Sequence, residues 1–427
     1  MKKVLIVGGG WSGIGAAISA CNAGASVTVL ERTDMLLGTG LVGGIMRNNG
    51  RFTATEEAIA LGGGEIFDVV EKNLRHKNIE FPGHKHADLY DIATIEPAFQ
   101  ELLNNKGIEF RLESRVKDVK VADGSITAVV LDSNEEVSGD VYIDTTGSAG
   151  PQNNCTKYGN GCAMCVLRCP TYGGRVSVAG KAGVEEKMGE KSDGTIGAMS
   201  GSCKLLKESL SAEIVELLDR TGVAVIPLPD DQKKDESSLI SKACQQYALK
   251  EFAENVVLLD TGHAKLMGPY FPLAALRQVP GFVNARYEDP YSGNKGNSMR
   301  YMALAPRDNA LKVIGLENLF CGGEKAGLLV GHTEAIVTGL LAGHNAVRWL
   351  LGLELLVLPE ELAIGDAISH VNEQMKTKEG MGLKYTFSGS VYFDRMKANG
   401  LYTTDVAAIK DRVEKANLTG IYAKSLM

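Results

Sequence analysis

Val4-Leu5-Ile6-Val7-Gly8-Gly9-Gly10-Trp11-Ser12-Gly13 is the stretch on which the reading of the fold turns. Its apolar run has the pattern of a buried parallel strand, and Gly8, Gly10 and Gly13 follow it in G-x-G-x-x-G spacing. Ile14 to Ala23 reads as a helix of small residues closed by Gly24, and Val27-Thr28-Val29-Leu30 as a second strand that delivers Glu31. Each glycine has a distinct task in such a unit. Gly8 permits the tight turn, Gly10 lets a diphosphate approach the backbone, and Gly13 brings helix and strand close together. The N–H groups and the positive end of the helix dipole favour phosphate charge. Glu31, about 20 residues on, is placed to accept hydrogen bonds from a ribose diol. Strand, glycines, helix, strand and acid together predict a dinucleotide site, with Arg32 beside it.

Working outward, residues 33–64 are rich in glycine, and Leu37-Gly38-Thr39-Gly40 can run along a cofactor without side-chain obstruction. Glu65 to Asn78 reads as a helix, His84-Lys85-His86 as solvated loop, and Ile92 to Lys106 as an amphipathic helix. Arg115 to Val119 and Ile126 to Val130 alternate like antiparallel strands around the turn Asp123-Gly124, so Val116 joins the candidate cofactor residues. Val141 to Asp144 is a further buried strand ending in Thr145-Thr146-Gly147. A plain nicotinamide domain would be complete by about residue 150 with alternating strands and helices. Here an antiparallel insertion intervenes, and a further strand, Leu316 to Cys321, leads into Gly322-Gly323-Glu324 and a helix from His332 to Leu350.

That layout resembles the two-part FAD domain of the glutathione-reductase-like flavoproteins, which implies that Gly323 and Glu324 close the flavin site. Leu276 to Ala285, Thr261 to Leu266, the run Gly331-His332-Thr333-Glu334 and Leu358 to Gly365 narrow the resemblance to the GidA-type and the folate- and FAD-dependent tRNA uridine methyltransferase flavoproteins. The resemblance implies a non-covalent FAD with Gly331 and the catalytic candidate His332 lining it. One departure stands out: residues 33–64 contain no cysteine, so the methyltransferases' thiol has no counterpart there.

The eight cysteines do not form a disulfide framework. Cys155, Cys162, Cys165 and Cys169 crowd together, and C-x2-C-x3-C-P matches the tail of a ferredoxin run. Four thiolates suit a [4Fe–4S] cluster; a zinc site and a Cys162–Cys165 dithiol remain open. The expected fold class is α/β: a two-part Rossmann-like FAD domain, an inserted α+β substrate domain and a C-terminal helical segment. The corresponding ranges are 1–150, 151–310 with the cysteine cluster, 311–350 for the return segment, and 351–427.

The net charge of −7 argues against a general affinity for nucleic acid or anionic membrane. The longest apolar run, Trp349 to Leu358, is broken by Gly352 and Glu354 and is too short to span a bilayer. The sequence therefore leads to a cytoplasmic FAD-dependent oxidoreductase with a small-molecule substrate. Its cluster would relay electrons to a protein partner; nucleic acid and membrane are not expected, and a homo-oligomer is compatible. The alternative is a folate- and FAD-dependent tRNA-modifying enzyme.

Overall fold

The computed structural model describes residues 2–147, 172–190, 203–235, 248–267, 271–288 and 302–427, together with 194, 196, 198–199 and 299–300. Five parallel strands form the central sheet in the spatial order Leu319–Cys321, Val141–Asp144, Lys3–Val7, Ser26–Leu30 and Glu109–Arg111. Val4, Leu5 and Ile6 are fully buried, as a strand covered on both faces must be. Ile6 pairs with Val29 on one side and Ile143 on the other, and Ile143 with Phe320. The late strand thus completes a sheet begun some 300 residues earlier in the chain, as the two-part reading requires.

One face of this sheet carries the helices Trp11–Asn22 and His332–Leu350, which cross at very close range. A side chain at Gly339 would run into the Ser12 carbonyl, one at Gly343 into the Ala16 carbonyl, and a Cβ at Gly15 would lie 2.8 Å from the Ile336 oxygen. The small residues of both helices are there to let two backbones touch. Val116–Ala122, Ser125–Leu131 and Glu136–Val137 form the antiparallel insertion.

A second core belongs to the inserted α+β region. Cys203–Leu205, Ala264–Leu266, Asn255–Asp260 and Val223–Pro227 make an antiparallel sheet, on which Ala212–Thr221 buries Ile214 and Leu218. Its other face meets a hairpin that the sequence reading missed. The expected helix stops at Lys72, and Leu74–Phe81 pairs antiparallel with His84–Tyr90. Phe67 and Val70 at helical spacing invited Leu74 into the helix; packing of Phe81 and Leu89 with Val257 and Leu259 decides otherwise. His84 is accordingly not a solvated loop residue. It is buried, stacked on Phe81 at 4.4 Å between ring centroids, with Nδ1 3.0 Å from the Asn48 amide nitrogen. The C-terminal helices Ala363–Gln374, Ser390–Ala398 and Val406–Lys415 pack on the outside of the first domain.

Burial also sets the acid stability. His344 lies in the core with neither ring nitrogen hydrogen-bonded among the described residues, and burial, aided by Arg348, pulls its pKa down to about 4. Burial likewise lowers His84 to about 3. Both imidazoles stay neutral when folded, whereas the unfolded chain takes up protons below about 6.5. Stability is therefore fully present above pH 6.5 and is lost as the pH falls towards 4, by on the order of 3 kcal/mol for His344 alone. His344→Leu should flatten this acid limb by about that amount in denaturation curves recorded between pH 7 and 4. An unchanged slope would show that His344 does not titrate on unfolding.

Candidate cofactor site

The cleft lies at the carboxyl ends of the parallel strands. Gly8 turns the chain at φ +105° directly after the first strand, and Thr145 fastens the turn by donating to the Gly8 carbonyl at 2.7 Å. A side chain at Gly13 would strike that same carbonyl, so Gly13 lies beneath the turn and not in the cleft. Gly10 differs from both. Its φ is −71°, open to any residue, and nothing lies within 4 Å of where its Cβ would point. Gly10 and the equally unobstructed Gly147 leave a backbone cradle at a helix N-terminus, the geometry a diphosphate requires.

Glu31 is buried and holds the turn from within. Oε2 accepts the Gly9 N–H at 2.8 Å, while Oε1 accepts the Thr33 N–H at 2.8 Å and its hydroxyl at 2.9 Å. A carboxylate has about four acceptor sites, so one remains for a ribose hydroxyl. Arg32, Thr39, Val116, Thr146 and Glu324 line the cleft with Gly8, Gly10, Glu31 and Gly147. Sequence reasoning missed Met35, Leu41, Ser114, Arg115 and Val176, and it weighed Arg175 only as a binder of an anionic substrate. Four candidates lie outside the cleft lining. Gly13 packs as above, Gly40 faces Trp11, Gly323 faces Ser12, and Gly331 lies against a buried ion pair.

That pair joins Arg51 to Glu334, with Nε 3.1 Å from Oε2, and both side chains are buried. Glu334 also accepts the Thr386 hydroxyl at 2.6 Å and the Phe387 N–H at 2.8 Å. Arg51 donates to Asn48 at 3.1 Å and to the Val330 carbonyl at 3.3 Å. Gly331, at φ +150°, has no room for a side chain beside the two charges. The network fixes the corner from which the His332–Leu350 helix starts.

His332 sits at that corner, outside the cleft lining. Its ring lies flat against Gly43, where a Cβ would fall inside it, and its Nδ1 is 3.3 Å from the Tyr90 hydroxyl. Tyr90 is buried and donates to the Gly40 carbonyl at 2.6 Å; burial pushes its pKa far up, so it stays protonated. Lys265, from the inserted sheet, donates to the Val42 carbonyl at 2.7 Å, and Thr261 packs where a Gly44 side chain would be. The helical turn Gly40–Gly43 and its cap Gly44 are thereby held backbone-first between His332 and the inserted sheet.

A parallel sheet completed by a distant return strand, with a glycine cradle, a buried acid and an antiparallel insertion, has the architecture of a two-part dinucleotide-binding fold. Residues 3–150 match the family of FAD dependent oxidoreductases, and residues 267–354 match glucose inhibited division protein A. Over these stretches the chain is similar to FAD-dependent oxidoreductases, with GidA/MnmG and TrmFO proteins among its relatives.

A stretch of 100 residues is 34% identical to the methylenetetrahydrofolate–tRNA-(uracil-5-)-methyltransferase TrmFO of Anoxybacillus flavithermus, covering 23% of this chain and 20% of that protein. Another of 115 residues is 32% identical to the tRNA uridine 5-carboxymethylaminomethyl modification enzyme MnmG of Chlorobaculum tepidum, covering 26% and 18%. The matches thus span about a fifth of these curated relatives. The structure of Aquifex aeolicus GidA superposes with a TM-score of 0.69 over 98% of this chain and 73% of that one, at 16% identity, a likeness of fold.

These findings correct the functional expectation. The relatives are named as tRNA-modifying enzymes, which sides with the alternative and against a flavin–cluster relay between a small molecule and an electron-transfer protein. The expectation that nucleic acid is no partner falls too, because a summed charge of −7 says nothing about a local surface. Cys155, Cys162, Cys165 and Cys169 lie outside the described residues. Among the described residues no group of three or more His, Cys, Asp or Glu side chains could hold a metal, and the comparisons lend no support to a [4Fe–4S] cluster or zinc. No helix among the described residues is long and apolar enough to cross a membrane.

Proposed function

We propose that this protein uses FAD to modify a uridine in tRNA. The observation that carries the reading is the position of the match to GidA. It covers residues 267–354, and so includes the His332–Leu350 helix whose first turn is fixed by Arg51 and whose first residue meets the turn 40–44.

In this reading Gly8, Gly10 and Glu31 form the dinucleotide cradle, with Gly13 packed beneath its turn. Arg32, Val116, Thr39, Thr146, Gly147 and Glu324 complete the cofactor wall, and residues 151–310 present the nucleotide. FAD supplies the exchange of an electron pair when bound. The protein's own part is positioning. Tyr90 gives its one hydrogen to Gly40 and so faces the His332 Nδ1 as an acceptor, which assigns Nδ1–H and holds the ring in place. Gly40, Gly323 and Gly331 act by letting Trp11, Ser12 and the Arg51–Glu334 pair pack closely. A thiol step is not included. Residues 33–64 contain no cysteine, and burial raises the Cys321 thiol to about 12.

Binding is the first test. FAD-loaded protein should retain a labelled, unmodified tRNA transcript saturably in filter binding, with an affinity that falls as salt rises. Failure to discriminate that transcript from a DNA duplex of equal length would refute tRNA as the substrate.

A further inference from the structure

Residues 173–177, in the inserted region, run along the cofactor cleft, where Arg175 and Val176 join its lining. Arg32 donates to the Gly173 carbonyl at 2.7 Å and Arg115 donates to the Gly174 carbonyl at 2.6 Å, which anchors one end. Gly173 is at φ +81°, and its Cβ would lie 2.8 Å from the Arg115 Nε, so glycine is required for this contact. At the other end Ser177 donates to Glu186 at 2.6 Å and receives a bond from the buried Lys325 at 2.8 Å; Lys325 also pairs with Glu186. Two residues on, the Ala179 N–H is held by Asp144 at 2.9 Å. Asp144 ends the strand that leads to Thr146 and Gly147.

Between these anchors stands Arg175. It is half-buried, lines the same cleft as Gly10, Thr146 and Gly147, and has no hydrogen-bond or ion-pair partner among the described residues. The other two arginines differ: Arg32 is engaged with a backbone carbonyl, and Arg115 with a carbonyl and with Asp132 at 2.6 Å. A guanidinium without a partner among the described residues, held at both flanks beside an anion cradle, is suited to receive an anion.

We propose that the 173–177 segment is a strap along the cofactor cleft and that Arg175 binds the diphosphate of FAD together with the Gly10 cradle. The inference rests on the FAD assignment. It adds a binding residue that the inserted region contributes, so cofactor affinity depends on a segment outside the glycine fingerprint.

The test uses the full-length protein stripped of flavin, with ADP, adenosine and FAD as probes. Arg175→Gln should weaken ADP and FAD by about 10- to 100-fold while adenosine binding stays unchanged, and Arg175→Lys should recover part of the loss. Equal losses for ADP and adenosine would reduce Arg175 to a structural role and overturn the inference, as would wild-type affinity for ADP in Arg175→Gln. Wild-type protein that binds neither ADP nor FAD would overturn the cofactor assignment itself and the inference with it.

Discussion

Gly10→Val yields a folded protein without FAD. Gly10 has φ −71° and open space where a Cβ would go, so the apoprotein accommodates valine without strain. The branched side chain then fills the space that the diphosphate needs, and flavin content should fall by at least about 100-fold, the order expected when charge-assisted backbone bonds to an anion are lost together. Gly13→Ala provides the contrast. Its Cβ collides with the Gly8 carbonyl, so this change should lower the denaturation midpoint as well as the flavin content. Flavin release on heating, read beside circular dichroism, separates the two. Stoichiometric FAD in Gly10→Val would show that the diphosphate does not lie over residue 10.

Arg51→Met should cost about 3–5 kcal/mol, because it leaves the Glu334 carboxylate buried without its cation. Thr386 and the Phe387 N–H would still satisfy part of that charge. Arg51→Met combined with Glu334→Leu should regain much of the loss, since replacing both partners removes the unpaired charge. The network fixes Gly331 and the first turn of the His332–Leu350 helix, so the single variant should also bind FAD more weakly. Urea denaturation at constant m-value reads the stability. A loss below about 1 kcal/mol would mean that the pair is solvated.

The parts of this molecule legible from sequence are those whose cause is local. The fingerprint glycines, the buried strands and the His332–Leu350 helix follow from spacing and hydrophobic runs, and the structure has them. The hairpin 74–90 was not legible, because Leu74–Phe81 becomes a strand only through partners in the inserted sheet. His84 could not be read as buried, since Asn48 and Phe81 create its environment. The position of Arg175 beside the cofactor cradle was not legible for a related reason. Its place in the cleft depends on two arginines bonding to the carbonyls of Gly173 and Gly174, and backbone acceptors leave no mark in a sequence. The functional reading failed differently. Four crowded cysteines and an acidic total pointed to redox relay, whereas the curated relatives are named as tRNA-modifying enzymes.

The central claim is tested most directly by mass spectrometry of nucleosides from an unmodified tRNA transcript. The transcript is incubated with the FAD-loaded protein, a reduced nicotinamide and methylenetetrahydrofolate or glycine as carbon donor. The account predicts a mass gain on uridine that requires protein-bound FAD and disappears in Gly10→Val. Unchanged uridine with every donor, from protein that holds FAD stoichiometrically and binds the transcript, would contradict it.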